Sequence, residues 1–226
     1  HGVNAIKKQE KSWLVTTKEK QFVCDAVVMA AGSSRKVWDL SKSLGHTIIS
    51  PVPSLFTFNI KDDRIKDLSG ISVSNATIKL IDTNLEALGP LLITHWGFSG
   101  PAILKLSAFG ARVLAAKNYE YQVQINWLSQ PADEILDTLL NLKNKQPKKQ
   151  VIVHSPFKEI PKRLWERFVL ASHIHVGHNW ADLSHIQIDN LTRQLTKAVY
   201  AAKGKSTFKE EFVTAGGVDL KEINSV

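Results

Sequence analysis

From Ser54 to Trp127 the chain returns repeatedly to a two-residue apolar period, which commits this stretch to β-structure. Ser54–Ile60 reads S-L-F-T-F-N-I and sets Ser54 and Leu55 on opposite faces. Ile71–Leu80 keeps Ile71 and Val73 on one face, then slips register near Asn75. Gly89–Thr94 and Tyr119–Trp127 are further short runs. Strand side chains alternate between faces, so such runs predict half-buried strands. Several of them together predict a small antiparallel sheet or barrel. A helix expected over Ser99–Leu114 interrupts the set.

Beyond Trp127 the spacing turns helical. Pro131–Leu142 carries Ile135, Leu136, Leu139 and Leu140 as one stripe. Pro161–Ile174 is expected to turn Leu164, Trp165, Phe168 and Val169 inward. A third helix is expected over Asp189–Ala202, with Asp189 as its cap and Gly204 just past its end. Leu191, Leu195, Ala198 and Val199 would be its buried stripe. Ser206–Thr214 alternates again and runs into Ala215-Gly216-Gly217.

The first fifty residues have another character. Val3–Ile6, Trp13–Thr17 and Gln21–Val23 read as short strands. Asp25–Gly32 (D-A-V-V-M-A-A-G) reads as a continuous buried strand, the kind a parallel sheet covered on both faces requires. Ligands of such sheets sit at the carboxyl ends of the strands, which points to Gly32-Ser33-Ser34. Lys36–Leu44 is a short helix closed by Gly45. No G-x-G-x-x-G and no Walker A lysine motif is present in this sequence.

The densest motif is Thr94–Pro101, T-H-W-G-F-S-G-P. Pro101 suits a first helical position and Ser99 its N-cap. The loop before that helix would then offer backbone N–H groups to a negative or polarised ligand, with glycines allowing close approach. Histidine exchanges protons near neutral pH, so Thr94 and His95 are the candidate catalytic pair.

The 226 residues carry a net charge of +8. The excess gathers between Asn141 and Ala171, where eight basic residues meet only Glu159 and Glu166. A solvated helical face is the preferred reading, ahead of a nucleic-acid patch. The lone Cys24 suits a reducing cytoplasm and reads as a buried thiol. No apolar run is long enough to span a membrane. His173, His175, His178 and His185 lack the spacing of a known metal set, and no metal is expected.

Four blocks taken in order carry a resemblance. They are A-A-G-S, L-G-H-T-I-I-S-P-V-P-S-L-F, L-L-I-T-H-W-G-F-S-G-P-A-I-L and F-V-T-A-G-G-V-D-L-K-E-I. Together they resemble the YhiN-type flavoproteins, FAD-dependent oxidoreductases of the aminoacetone-oxidase-like and bile-acid-reductase-like kind. The resemblance covers nearly the whole chain. It implies an α+β multidomain protein: a partial FAD-binding α/β domain (1–50), an antiparallel β-barrel-like insert (51–128), a small helical bundle (129–205) and a return strand (206–226).

The family's N-terminal dinucleotide fingerprint is absent here, as is its flavin-closing segment after Ile223. The resemblance therefore implies a fragment of a longer parent that binds FAD, with FAD not retained by this piece alone. The family's A-T-G-G turn maps onto Ala30, Ala31, Gly32 and Ser33, with Ser33 where a second glycine is common. Val3 would offer backbone contacts to an adenine. Gly216 and Gly217 match the turn leading back to the flavin. The implied activity is flavin-mediated hydride transfer to a small-molecule substrate, with NAD(P)H open as electron donor and the insert shaping the substrate site. The alternative is a non-catalytic insert, or a basic module for nucleic acid or a protein partner.

Overall fold

The computed structural model describes residues 2–205 and 213–224. The chain forms two compact units, one of residues 1–53 with 211–226 and one of residues 54–210. Residues 206–212, the first part of the expected return strand, lie outside the described residues.

The first unit opens with β1 (Val3–Lys8), β2 (Trp13–Thr17) and β3 (Gln21–Cys24), an antiparallel meander in that order. The polar turn at Lys18–Lys20 is closed by Thr17, whose hydroxyl accepts the Lys20 N–H at 3.0 Å. The buried strand expected over Asp25–Gly32 does not form. The segment is irregular and mostly exposed, with Val28 88% and Met29 41% accessible. A strand exists only by pairing, and among the described residues nothing pairs with this one. Cys24 is half-buried, with its thiol 3.8 Å from the Trp13 carbonyl. Helix α1 (Arg35–Ser43) follows, and Gly45 takes φ +96° just past its end. Strand β4 (Ile48–Ser54) leads out of the unit.

The second unit is built on a closed barrel. Its strands are β5 (Phe58–Ile60), β6 (Ser72–Leu80), β7 (Glu86–Thr94), β8 (Gly97–Ser99), β9 (Glu120–Asn126) and β10 (Ala198–Lys205). They close in the order β10-β5-β8-β7-β6-β9, every pair antiparallel. Burial alternates along them as the two-residue period requires: Tyr121, Val123 and Ile125 are buried on β9, and Ala198, Tyr200 and Ala202 on β10. The slip near Asn75 is a bulge between Val73 and Ala76 in the β6–β7 ladder.

Two helices, α2 (Pro101–Phe109) and α3 (Ala111–Ala116), replace the single one expected over Ser99–Leu114. Three more, α4 (Ala132–Lys145), α5 (Lys162–Ala171) and α6 (His185–Thr196), form the helical section. Their buried residues continue the barrel core, where the Trp127 ring stands 5.4 Å from Phe168 and 6.1 Å from Tyr200.

The third helix is displaced from the expected Asp189–Ala202. Ser184 caps it, accepting the Gln187 N–H while the Gln187 side chain accepts the Ser184 N–H. It ends at Thr196, because Ala198–Lys205 is taken up between β9 and β5 as the strand that closes the barrel. Val199 consequently faces outward. The final strand, β11 (Val213–Val218), returns to the first unit and pairs with β4.

Candidate functional site

The T-H-W-G-F-S-G-P motif is a β-hairpin followed by a helix start. Thr94 ends β7, His95 and Trp96 make the turn, and Gly97 begins β8. Thr94 Oγ1 donates to the Gly97 carbonyl and accepts the Trp96 N–H, each at 3.2 Å. Ser99 is a strand residue rather than the expected N-cap. Gly100 occupies the cap position of α2 with φ +97°.

Both glycines of the motif answer to neighbouring backbone. At Gly97 (φ +140°) a Cβ would collide with the Phe58 carbonyl and lie 2.5 Å from the Ile60 nitrogen. At Gly100 it would lie 2.9 Å from the Pro90 oxygen. The glycines let β8 lie close against β5 and β7; they do not hold space open for a ligand.

What the hairpin presents outward is His95, exposed and with no hydrogen-bond partner for its ring among the described residues. Thr94 and His95 line a cleft of about 940 Å³ whose other wall is the loop after β5, including Lys61, Asp62, Asp63, Lys66, Asp67 and Ser69.

That loop is fastened at three points. Arg64 forks onto Asp62 (Nε to Oδ1 2.8 Å, Nη2 to Oδ2 2.7 Å) and reaches Gln194 Oε1 at 2.9 Å and the Val199 carbonyl at 2.6 Å. Its guanidinium carbon sits 3.9 Å from the Tyr200 ring centre. From α5, Arg163 donates to the Asp67 carbonyl at 2.5 Å and Arg167 to the Lys66 carbonyl at 3.3 Å. Burial pushes the Asp62 carboxyl up, but the hydrogen bonds and charge of Arg64 outweigh it and hold the group below its ordinary value. Asp62 is therefore a fixed anion. Lys61, Asp63, Lys66 and Asp67 have no ion-pair partner among the described residues and leave both signs of charge facing the cleft.

The expected cofactor residues lie in the first unit. Ser33 Oγ and Thr214 Oγ1 are 3.0 Å apart, which brings the Ala30–Ser33 turn to the strand that carries Gly216 and Gly217. Gly32 has φ +58°, and a Cβ there would meet nothing within 4 Å, so the left-handed backbone and not crowding is what favours glycine at this turn. Gly216 is different: its Cβ would stand 2.8 Å from the Ile49 oxygen, so pairing with β4 already demands a glycine. Gly217 is buried, 3.7 Å by the same measure from Trp38 Nε1. Val3 is half-buried in β1, paired with Thr17.

Sequence reasoning missed Arg64, Arg163 and Arg167, because a basic side chain bound to a distant carbonyl leaves no local pattern. It also missed Glu222, which accepts the Thr47 N–H (3.1 Å) and faces His46 Nδ1 at 2.9 Å. Those bonds, the Thr47 one foremost, hold its carboxyl below the usual range.

Residues 52–213 match the family model described as "HI0933-like protein barrel and H2TH domain". Among curated proteins, the chain is 24% identical to a 3-dehydro-bile acid delta(4,6)-reductase of Clostridium scindens, over 98% of this chain and 56% of that protein. It is 25% identical to a ribosomal RNA dihydrouridine synthase of Haemophilus influenzae (99% and 55%). It is 24% identical to one of the same name from Escherichia coli (99% and 55%). The chain thus spans a little over half the length of these relatives. With the match covering the closed barrel and all three helices of the helical section, the chain belongs to the HI0933-like family.

Proposed function

We propose that this chain is the substrate-facing part of a flavin-dependent reductase that adds hydrogen across a carbon–carbon double bond. The names of the relatives support the reaction class. One names a reductase of delta(4,6) double bonds and two name the making of dihydrouridine, the saturated form of uridine. Reduced FAD, when bound, supplies the hydride, and NAD(P)H is the proposed source of electrons. The open left-handed turn at Gly32, beside Ala30, Ala31 and Ser33, is the part of this chain best shaped to meet it. Val3 and Gly217 are proposed as further contacts, while Gly216 serves by holding β11 against β4. The single cysteine agrees with a cytoplasmic setting. Among the described residues no helix is long and apolar enough to cross a membrane.

The observation that carries the reading is His95, held at the cleft by a hairpin fixed against two strands. Once one alkene carbon has taken a hydride, the other must take a proton. A ring nitrogen of His95 delivers it, while Thr94 keeps the turn in shape. A substrate of modest size, its unsaturated group polarised by the charged loop, fits the cleft.

The test uses the full-length protein. It should be yellow, and a 4-en-3-one steroid or a uridine-containing RNA should reoxidise its reduced flavin under anaerobic conditions. His95→Gln should slow that reoxidation by about 10²–10⁴-fold and leave flavin reduction by NAD(P)H unchanged. A colourless protein that takes up no FAD, or reoxidation by either probe unchanged in the variant, refutes the assignment.

A further inference from the structure

The outer face of the barrel carries a hollow of about 340 Å³ that shares no lining residue with the cleft. Its floor follows from register. Ile78, Ile125 and Ala198 point into the core, so their neighbours along the strands point out. Thr77 stands opposite Asn126, and Lys79 lies between Glu86 on β7 and Gln124 on β9. The chain rises from β9 through Ser129, Gln130 and Pro131 into α4 and makes one wall. Thr196 and Lys197, between α6 and β10, make another.

The walls are tied to the floor. Asn126 Nδ2 donates to the Gln130 carbonyl at 2.8 Å, and its Oδ1 accepts the Leu128 N–H at 3.3 Å. Ser129 Oγ donates to the Asn75 carbonyl at 3.1 Å and lies 2.8 Å from Thr77 Oγ1. The Trp127 N–H donates to the Leu195 carbonyl and Thr196 Oγ1 to that of Thr192, each at 2.8 Å. The hollow is therefore preformed. On this fixed frame Lys79, Glu86, Gln124, Gln130 and Lys197 make no hydrogen bond or ion pair through their side chains among the described residues. Opposite charges directly across two strands ordinarily pair, yet Lys79 and Glu86 are not in ion-pair contact.

We propose that this hollow binds a free amino acid carrying a second carboxylate. The order of charge across the sheet points to that class. Glu86 on β7, Lys79 on β6 and Lys197 at the start of β10 span three strand spacings, about 14 Å between backbones. Side chains reaching in from both ends narrow that span to the length of a short dicarboxylic chain. Glu86 takes the ammonium, Lys79 the carboxylate beside it and Lys197 the distal carboxylate. The Gln124 and Gln130 amides, each both donor and acceptor, take the remaining hydrogen bonds. Two cations against one anion match a ligand with a single net negative charge. Glu86 repels a polyanion such as a nucleotide. A neutral sugar leaves Lys79, Glu86 and Lys197 uncompensated and finds no aromatic side chain in the lining to rest on.

The experiment titrates the full-length protein with L-glutamate and follows the amide NMR signals of Gln124, Asn126 and Lys197. They should move together and saturate with a Kd on the order of 1 mM. Glutarate, which lacks the ammonium, and L-glutamine, which lacks the distal charge, should each bind about 10-fold more weakly, the effect of one charged hydrogen bond. E86Q should bring L-glutamate down to the level of glutarate, and K197Q should bring it down to that of L-glutamine. K197R should restore the preference, and K79Q should weaken all three ligands alike. K158Q, which removes a lysine outside the hollow, should change nothing. The proposal is overturned if L-glutamate moves none of the three signals at ten times the expected Kd. It is overturned equally if glutarate binds as well as L-glutamate, if E86Q leaves their ratio unchanged, or if glucose moves the same signals as strongly. None of these signals depends on bound FAD, so this reading and the flavin reading fail separately.

Discussion

Gly97→Ala should be among the most damaging small changes available in the barrel. At φ +140° a non-glycine residue is strained by about 1–3 kcal/mol. The added methyl also has nowhere to go. It would press on the Phe58 carbonyl and the Ile60 nitrogen, both backbone atoms of β5 that no rotamer change can move aside. Prising β5 from β8 costs a further ~1–3 kcal/mol of overpacking. It also breaks the 2.9 Å bond from the Ile60 N–H to the Trp96 carbonyl, worth about 1 kcal/mol. The expected loss is about 3–7 kcal/mol, a large part of a domain's stability.

The contrast is Gly32→Ala. That glycine is also left-handed, but its Cβ would meet nothing within 4 Å. The expected loss there is the conformational term alone, about 1–2 kcal/mol. Because the chain has two compact units, a single unfolding midpoint is a poor measure. Amide hydrogen exchange at Ile60 and Phe98 reports on the β5–β8 pair directly. If Gly97→Ala leaves those amides protected and costs under about 1 kcal/mol, close strand packing is not the reason for the glycine. Room for a ligand would then be the better account.

Arg64→Lys removes the fork onto Asp62 and the stack on Tyr200, and should cost about 2 kcal/mol at neutral pH, read from hydrogen exchange of the barrel amides. Asp62 has a depressed folded pKa, so its contribution is present above the ordinary carboxylate value near 3.8 and disappears as pH falls through the lower folded value. The variant should flatten the acid limb of the stability curve; an unchanged limb rules out the Asp62 pair as its source. Ser184→Ala removes the cap of α6 and should cost about 1 kcal/mol, read as faster exchange of the Gln187 and Ile188 amides; equal rates would mean the cap contributes nothing.

Where the sequence was legible, one local period had one structural solution. The slip at Asn75 became a bulge because an alternating strand cannot absorb an extra residue otherwise. The α6–β10 junction is ambiguous in sequence, because Leu191, Leu195, Ala198 and Val199 satisfy a helical stripe, while Ala198, Tyr200 and Ala202 equally satisfy a strand. Pairing with β9 and β5 decides between them, and those partners lie far away in sequence. Asp25–Gly32 has the composition of a buried strand but meets no partner among the described residues. Arg163 and Arg167 looked like solvent-facing charge because their acceptors are carbonyls about a hundred residues distant. Thr94 and His95 are neighbours in sequence and share one hairpin, whereas the cleft wall opposite them is assembled only in the folded chain.

The glycines and Thr94 of the hairpin are accounted for within the barrel, which leaves His95 and the loop it faces as the part of the motif the proposed reading draws on. That loop is pinned through Arg64, Arg163 and Arg167, which makes the cleft preformed. Its lining carries lysines and aspartates together. A fully charged group would be repelled by one set while attracted by the other, so a neutral, polarisable ring suits it better.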